Sequence, residues 1–182
     1  MQRLRKSLTT PEGIAWLSVA GWLFLSLWVW WSVQGQGGNE MLTQGEEKLI
    51  LRWTIVQEAE GEPFDGKLGV GWAIMNRVRL LRLSVSDVCF APWQFSAWNT
   101  DSPTRKRLDD IGPGAMDEAR LAAEQAYHGT GSDPTNGATH YLNPVLTRKI
   151  REKAGQGATL PGWVARMKKT ATIGLHDFYK EL

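Results

Sequence analysis

The chain has 182 residues, 42% hydrophobic and 22% charged, with a formal net charge of +2. That composition excludes both an intrinsically disordered chain and a fully membrane-embedded one, and the length suits one folded domain beside a short apolar segment. Beyond residue 33, 18 Lys and Arg face 18 Asp and Glu, so no basic excess marks a nucleic-acid partner.

Residues 1–13 carry Arg3, Arg5 and Lys6 and precede 20 uncharged residues, Ile14 to Val33. At roughly 1.5 Å per residue this stretch crosses a hydrocarbon core of roughly 30 Å. It is predicted to be a single-pass signal-anchor in the cytoplasmic membrane. The basic residues before it set the N-terminus inside, so the rest of the chain lies in the periplasm or cell-wall space. Trp16 near the inner end and Trp28, Trp30 and Trp31 at the outer end fit the two headgroup regions. A cleaved signal peptide has a shorter apolar region, and the site after Gly35 is a poor one for cleavage.

Residues 34–44 are polar and glycine-rich and read as a flexible linker, leaving 45–182 as the folded domain. A first helix starts at Glu46 and Glu47 and runs to the stop at Gly61 and Pro63. Its apolar residues form two stripes, Leu51 with Ile55 and Leu49 with Trp53 and Val56, which predicts a central, largely buried helix. Glu58 continues the first stripe and Glu60 the second, and periodicity does not choose between them.

Lys67 to Arg79 reads as a second helix, whose Gly69, Gly71 and Ala73 admit close approach by another element. Ser84 to Asp87 resembles a capping box for a short helix. Cys89 is the single cysteine, so no internal disulfide can form, and Val88 and Phe90 beside it predict a small core residue. Residues 97–112 read as a surface loop. Pro113 opens a third helix with a stripe of Met116, Ala119, Ala123 and Ala126, closed by Gly129. Turn formers at 131–137 lead to a short strand, 138–143, stopped by Pro144, and residues 170–179 read as a second β segment interrupted by Gly174. The fold class is therefore α+β, mainly helical with a small β-sheet, behind one transmembrane helix.

The chain holds no G-x-S-x-G elbow, no phosphate-binding loop and no H-E-x-x-H helix. His128, His140 and His176 are far apart, and no metal or other cofactor is expected. What remains is Glu58, Glu60, Glu62 and Asp65, clustered where a buried helix meets a turn. A glutamic acid in such a place can stay protonated near neutral pH and donate to a leaving oxygen.

The run Glu58-Ala59-Glu60-Gly61-Glu62-Pro63-Phe64-Asp65-Gly66-Lys67, continuing through Val70 to Val78, resembles the cell-wall hydrolase family typified by spore-cortex-lytic enzymes of the SleB/CwlJ type. Three later blocks match in order. They are Gln94-Phe95-Ser96, then Asp133 to Ala138 with Tyr141 and Asn143-Pro144, then Ile173-Gly174 with His176, Phe178 and Tyr179. The resemblance covers roughly residues 46–180 and implies a lysozyme-like catalytic domain with Glu58 as the catalytic acid. It implies cleavage of peptidoglycan glycan strands between N-acetylmuramic acid and N-acetylglucosamine, as a lytic transglycosylase or, with a second carboxylate holding water, a muramidase.

Gln94, Ser96, Tyr141, Asn143 and His176 are then candidate substrate-binding residues, and Trp93 or Trp98 offers a face for a sugar ring. Asn76, on an otherwise apolar helix, is expected to satisfy backbone groups or orient the cleft. Glu60 stands where relatives often carry a basic residue, Leu175 and Asp177 depart from the usual pattern, and 145–169 is longer than usual. The alternatives are a non-catalytic peptidoglycan-binding membrane protein and an amidase or peptidase acting on the stem. Small size, one anchor and no separate wall-binding module tilt the expected setting toward endolysin-like phage lysis.

Overall fold

Helix α1, Gln44–Ala59, begins inside the stretch predicted to be linker, because Thr43 and Glu46 form a reciprocal cap. Thr43 Oγ1 accepts from Glu46 N at 3.3 Å, and Glu46 Oε2 accepts from Thr43 N at 2.8 Å. This places the domain boundary at 42 rather than 45, and residues 42–182 make up one compact unit. The structure, a computed structural model, describes residues 42–92, 94–99 and 110–182. The predicted span 14–33, residues 34–41 of the linker, Trp93 and most of the predicted 97–112 loop therefore lie outside the described residues. Among the described residues no helix is long and apolar enough to cross a membrane.

Leu51, Ile55 and Val56 of α1 are fully buried, whereas Leu49 is 47% exposed. The helix is thus central on its inner side and not buried all round, as the two stripes had suggested. Helix α2, Phe64–Leu81, starts three residues earlier than predicted, with Pro63 as its N-cap. A Cβ at Gly71 would lie 3.0 Å from Ile55 Cδ1 and 3.1 Å from Ala126 Cβ, so the missing side chain lets two other helices close on α2. Helix α3, Val85–Phe90, carries the expected Ser84 and Asp87 capping box. Helix α4, Pro113–His128, ends at Gly129 with φ +65° and buries Ala119, Ala122, Ala123 and Ala126.

Two buried charges tie these helices together. The Glu47 carboxylate caps α3, accepting from Val85 N at 2.6 Å and Ser86 Oγ at 3.0 Å. Lys67, 2% exposed, pairs with Glu118 of α4 at 2.9 Å and donates to the Glu62 backbone carbonyl.

The sheet is antiparallel in the order β1-β3-β2, with β1 at His140–Leu142, β2 at Met167–Ile173 and β3 at His176–Glu181. The single segment predicted at 170–179 is in fact a hairpin, with Gly174 in its turn at φ +57°. Tyr141 stands opposite Phe178, and both share the inner face with His176. Gly69 brings α2 onto that face, since a Cβ there would lie 2.8 Å from Phe178 Cζ.

Pro144, predicted only to stop a strand, also opens helix α5, Pro144–Lys153. A 3-10 turn, Gly162–Arg166, follows. Trp163 in that turn packs 5.6 Å from the His140 ring and 5.5 Å from the Tyr179 ring, covering the outer face of the sheet. The long 145–169 segment thus gives the sheet a second apolar side, and Asp177 and Tyr179 are buried beneath it.

Candidate active site

Glu58 occupies the last turn but one residue of α1, three residues past Ile55 on the buried stripe. The residue is half-buried. Tyr141 OH donates to Glu58 Oε2 at 3.3 Å. Burial pushes the Glu58 carboxyl up to about 7, against the opposing effect of the Tyr141 bond, which favours the ionised form. The Tyr141 phenol is itself raised well above its ordinary range, first by burial and then by the neighbouring Glu58 charge, so it stays a donor. Near neutral pH, Glu58 is poised both to give up and to take back a proton.

The other motif acids sit differently. Glu60 is the C-cap of α1 and half-buried. Glu62 is 7% exposed and serves the hairpin: its Oε2 accepts from Leu175 N at 2.9 Å, and its Oε1 lies 3.6 Å from His176 Nδ1. The structure thereby separates Glu58 from Glu60, which the periodicity had left equal.

Tyr141 is delivered by the turn before it. Asp133 accepts from Thr135 N and Gly137 N, both at 2.8 Å, and from Asn76 Nδ2 at 2.9 Å. Burial alone would raise the Asp133 carboxyl, but these bonds together with the Thr135 hydroxyl hold it below its ordinary value. Asn76 also donates to the Ala138 carbonyl at 2.9 Å, so it both satisfies backbone and orients the strand that carries Tyr141.

The remaining candidates fall in three places. His176 is brought to Glu58 indirectly. It is 8% exposed, and its ring meets that of Tyr141 edge to face at 5.4 Å. Burial lowers its pKa, with Glu62 acting the other way, so the imidazole is neutral near pH 7. Gln94 and Ser96 are exposed on the connection after α3, where Gln94 Oε1 accepts from Arg77 Nη2 at 2.6 Å and Ser96 opens a 3-10 turn, Ser96–Trp98. Asn143 lies at the start of α5, where its Oδ1 accepts from Leu146 N at 2.9 Å. Trp98 is tied inward, donating from Nε1 to the buried Thr54 hydroxyl at 2.9 Å and packing 4.8 Å from the Phe90 ring.

Two residues at the site were not singled out by the sequence. Glu62 read as a charged helix end. Arg77 sits between Gln94 and the Phe95 ring, whose centroid is 5.9 Å away. Burial pulls its guanidinium below the usual value, and its charge reaches Tyr141. Its placement directly after Asn76 was the available signal. Cys89 is buried, and burial pushes its thiol up to about 12, which fits the predicted core role. Among the described residues no three His, Cys, Asp or Glu side chains gather where a metal could bind. His128 meets Glu124 at 3.3 Å, and His140 meets Thr139 Oγ1 at 2.9 Å.

The described residues form a helical core with a small antiparallel sheet and hold a protonatable carboxyl against a phenol at a helix end. The sequence model of the cell wall hydrolase family matches residues 61–179, and the chain belongs to that family. Glu58 lies three residues before the matched stretch and Glu62 within it.

The chain is 29% identical over 131 residues to a spore cortex-lytic enzyme of Halalkalibacterium halodurans, covering 71% of this chain and 33% of that protein. Over 145 residues it is 29% identical to a spore cortex-lytic enzyme of Oceanobacillus iheyensis, covering 76% and 42%. The chain therefore spans a third to about two fifths of these relatives' lengths. The fold is that of the SleB catalytic domain. The catalytic domain of the germination-specific lytic transglycosylase SleB from Bacillus anthracis superposes with a TM-score of 0.53 at 25% identity, covering 78% of this chain and 98% of that one. The catalytic domain of the Bacillus cereus SleB protein gives 0.54 at 25% identity, with 80% and 99% covered.

Proposed function

We propose that this chain cleaves peptidoglycan glycan strands between N-acetylmuramic acid and N-acetylglucosamine as a lytic transglycosylase, with Glu58 as acid and then base. The observation that carries the reading is the Glu58 carboxyl, half-buried, raised to about 7 and held by Tyr141 at 3.3 Å. In the first step the Glu58 proton passes to the glycosidic oxygen, the bond from C1 of the muramic acid breaks, and positive charge develops at C1. In the second, the Glu58 carboxylate takes the proton of the same sugar's 6-hydroxyl as O6 bonds to C1. The product is a 1,6-anhydro end, no water is consumed and Glu58 regains its proton.

The likeness to the Bacillus anthracis SleB catalytic domain, that of a germination-specific lytic transglycosylase, supports this choice over hydrolysis by water. Gln94 and Ser96, exposed beside Arg77, are proposed to contact sugar hydroxyl and acetamido groups. Residues 14–33 are proposed to anchor the chain in the cytoplasmic membrane with the domain on the wall side.

The test is mass spectrometry of muropeptides released from purified sacculi by the wild type and by Glu58→Gln. Anhydro-muropeptides from the wild type alone are the expected result. Products with a free reducing end from the wild type would make it a muramidase, and equal release by both proteins would remove Glu58 from the reaction.

A further inference from the structure

Glu62, the third acid of the motif, is 7% exposed. Its surroundings are built closely around it. Gly66 and Gly174 both lie against its side chain, where a Cβ would come within 2.8 Å of Glu62 Cβ and 1.9 Å of Glu62 Oε2 respectively. The carboxylate takes the Leu175 N–H at 2.9 Å and stands 3.6 Å from His176 Nδ1. It thereby fixes the turn that sets the first residue of β3. That residue, His176, presents its ring edge to Tyr141 at an interplanar angle of 89°, while Phe178 supports Tyr141 from two residues further on, at 5.8 Å. Tyr141 in turn holds Glu58.

We propose that Glu62 is a positioning residue of the catalytic machinery, acting through the hairpin turn and His176 on the ring of Tyr141, and through Tyr141 on Glu58. The proposal rests on Glu58 being the catalytic acid. It gives a buried carboxylate, which would otherwise only carry a desolvation cost, a task at the reacting group. The charged and titratable groups facing this path are Glu58 on α1, Arg77 on α2, Cys89 on α3 and Glu62 itself.

The experiment is the pH profile of kcat/KM on purified glycan strands for the wild type, Tyr141→Phe, Glu62→Gln and the double variant, with folding checked by thermal melting. Gln at 62 keeps an acceptor for Leu175 N, loses the charge and puts an amide NH2 where an oxygen faced His176 Nδ1. Tyr141→Phe removes a bond that favours the Glu58 carboxylate, so the alkaline limb moves up by about one pH unit. Glu62→Gln is expected to move the same limb in the same direction by less, and to add nothing in the Tyr141→Phe background. A Glu62→Gln limb at the wild-type position, or shifts that add in the double variant, would overturn the proposal.

Should Glu62→Gln fail to fold, His176→Ala and His176→Phe test the same path. Loss of the ring edge in Ala moves the limb and its restoration in Phe returns it, whereas an unmoved limb in Ala overturns the proposal. A wild type without turnover is a different outcome, since it fails the activity itself before any variant is compared.

Discussion

The carboxyl of Glu58, the proposed catalytic acid, is also a stability liability. Its pKa rises from 4.5 to about 7 on folding, chiefly through burial, so between those values the folded chain holds a proton that the unfolded chain has released. Stability is therefore lost as pH rises from about 4.5 through 7, and the loss is complete above that window. Glu58→Gln removes the penalty and keeps an oxygen for Tyr141. The variant should match the wild type at pH 4 and exceed it at pH 8 by about 2 kcal/mol, somewhat below the full shift because the residue is only half-buried. Thermal melts of both proteins at the two pH values measure it, and a gain equal at both would show that burial does not govern the group. Periodicity brought Glu58 and Glu60 to equal standing. What separates them is Tyr141, 83 residues further along, and no local pattern carries that distance. His176 illustrates the same limit, because it belongs to a matched block while its partner, the Tyr141 ring, is fixed only by the fold.

Among the elements, those with local signals were legible. Both capping boxes, the Pro113 to Gly129 helix and its alanine stripe follow from contacts within a turn or two. The hairpin was not, because a residue at φ +57° in the middle of a β-rich run reads equally as an interruption or a turn. Helix α5 escaped because its apolar pattern is only Val145, Leu146 and Ile150 in a short basic segment, and the fold leaves all three exposed. The turn at Gly174 provides a direct test of how tightly Glu62 fills its site. Gly174→Ala has a left-handed backbone and a carboxylate oxygen 1.9 Å from the new methyl, whereas Gly157→Ala, at φ +75°, meets nothing within 4 Å. The second isolates the backbone cost, about 1 kcal/mol. The first should cost about 1–3 kcal/mol more, because the Leu175 bond to Glu62 must shift or break. Urea unfolding of the two variants decides it, and equal losses would mean that Glu62 can move aside freely.

At the scale of the whole molecule, the sequence divides the work between a proposed anchor and a folded domain. The buried core positions among the described residues run from Leu51 to Phe178, and residues 42–182 pair 18 basic with 18 acidic residues once 34–41 are included. A domain without net charge gains little long-range attraction to an anionic membrane surface, so its retention there falls to the 20 uncharged residues from Ile14 to Val33. An uninterrupted apolar segment of that length resists extraction, whereas attachment by surface charge is undone by alkali and salt. The full chain should therefore stay with membranes washed in alkaline carbonate, and a chain lacking residues 1–33 should appear in the soluble fraction. The shortened chain should release muropeptides from purified sacculi at a rate within about twofold of the full chain, since it keeps the compact unit 42–182 and the Glu58 site within it. Full-length protein in the carbonate wash would end the anchor proposal while leaving the chemistry at Glu58 untouched. Loss of turnover in the shortened chain, with its melt unchanged, would instead show that the N-terminal segment takes part in the site.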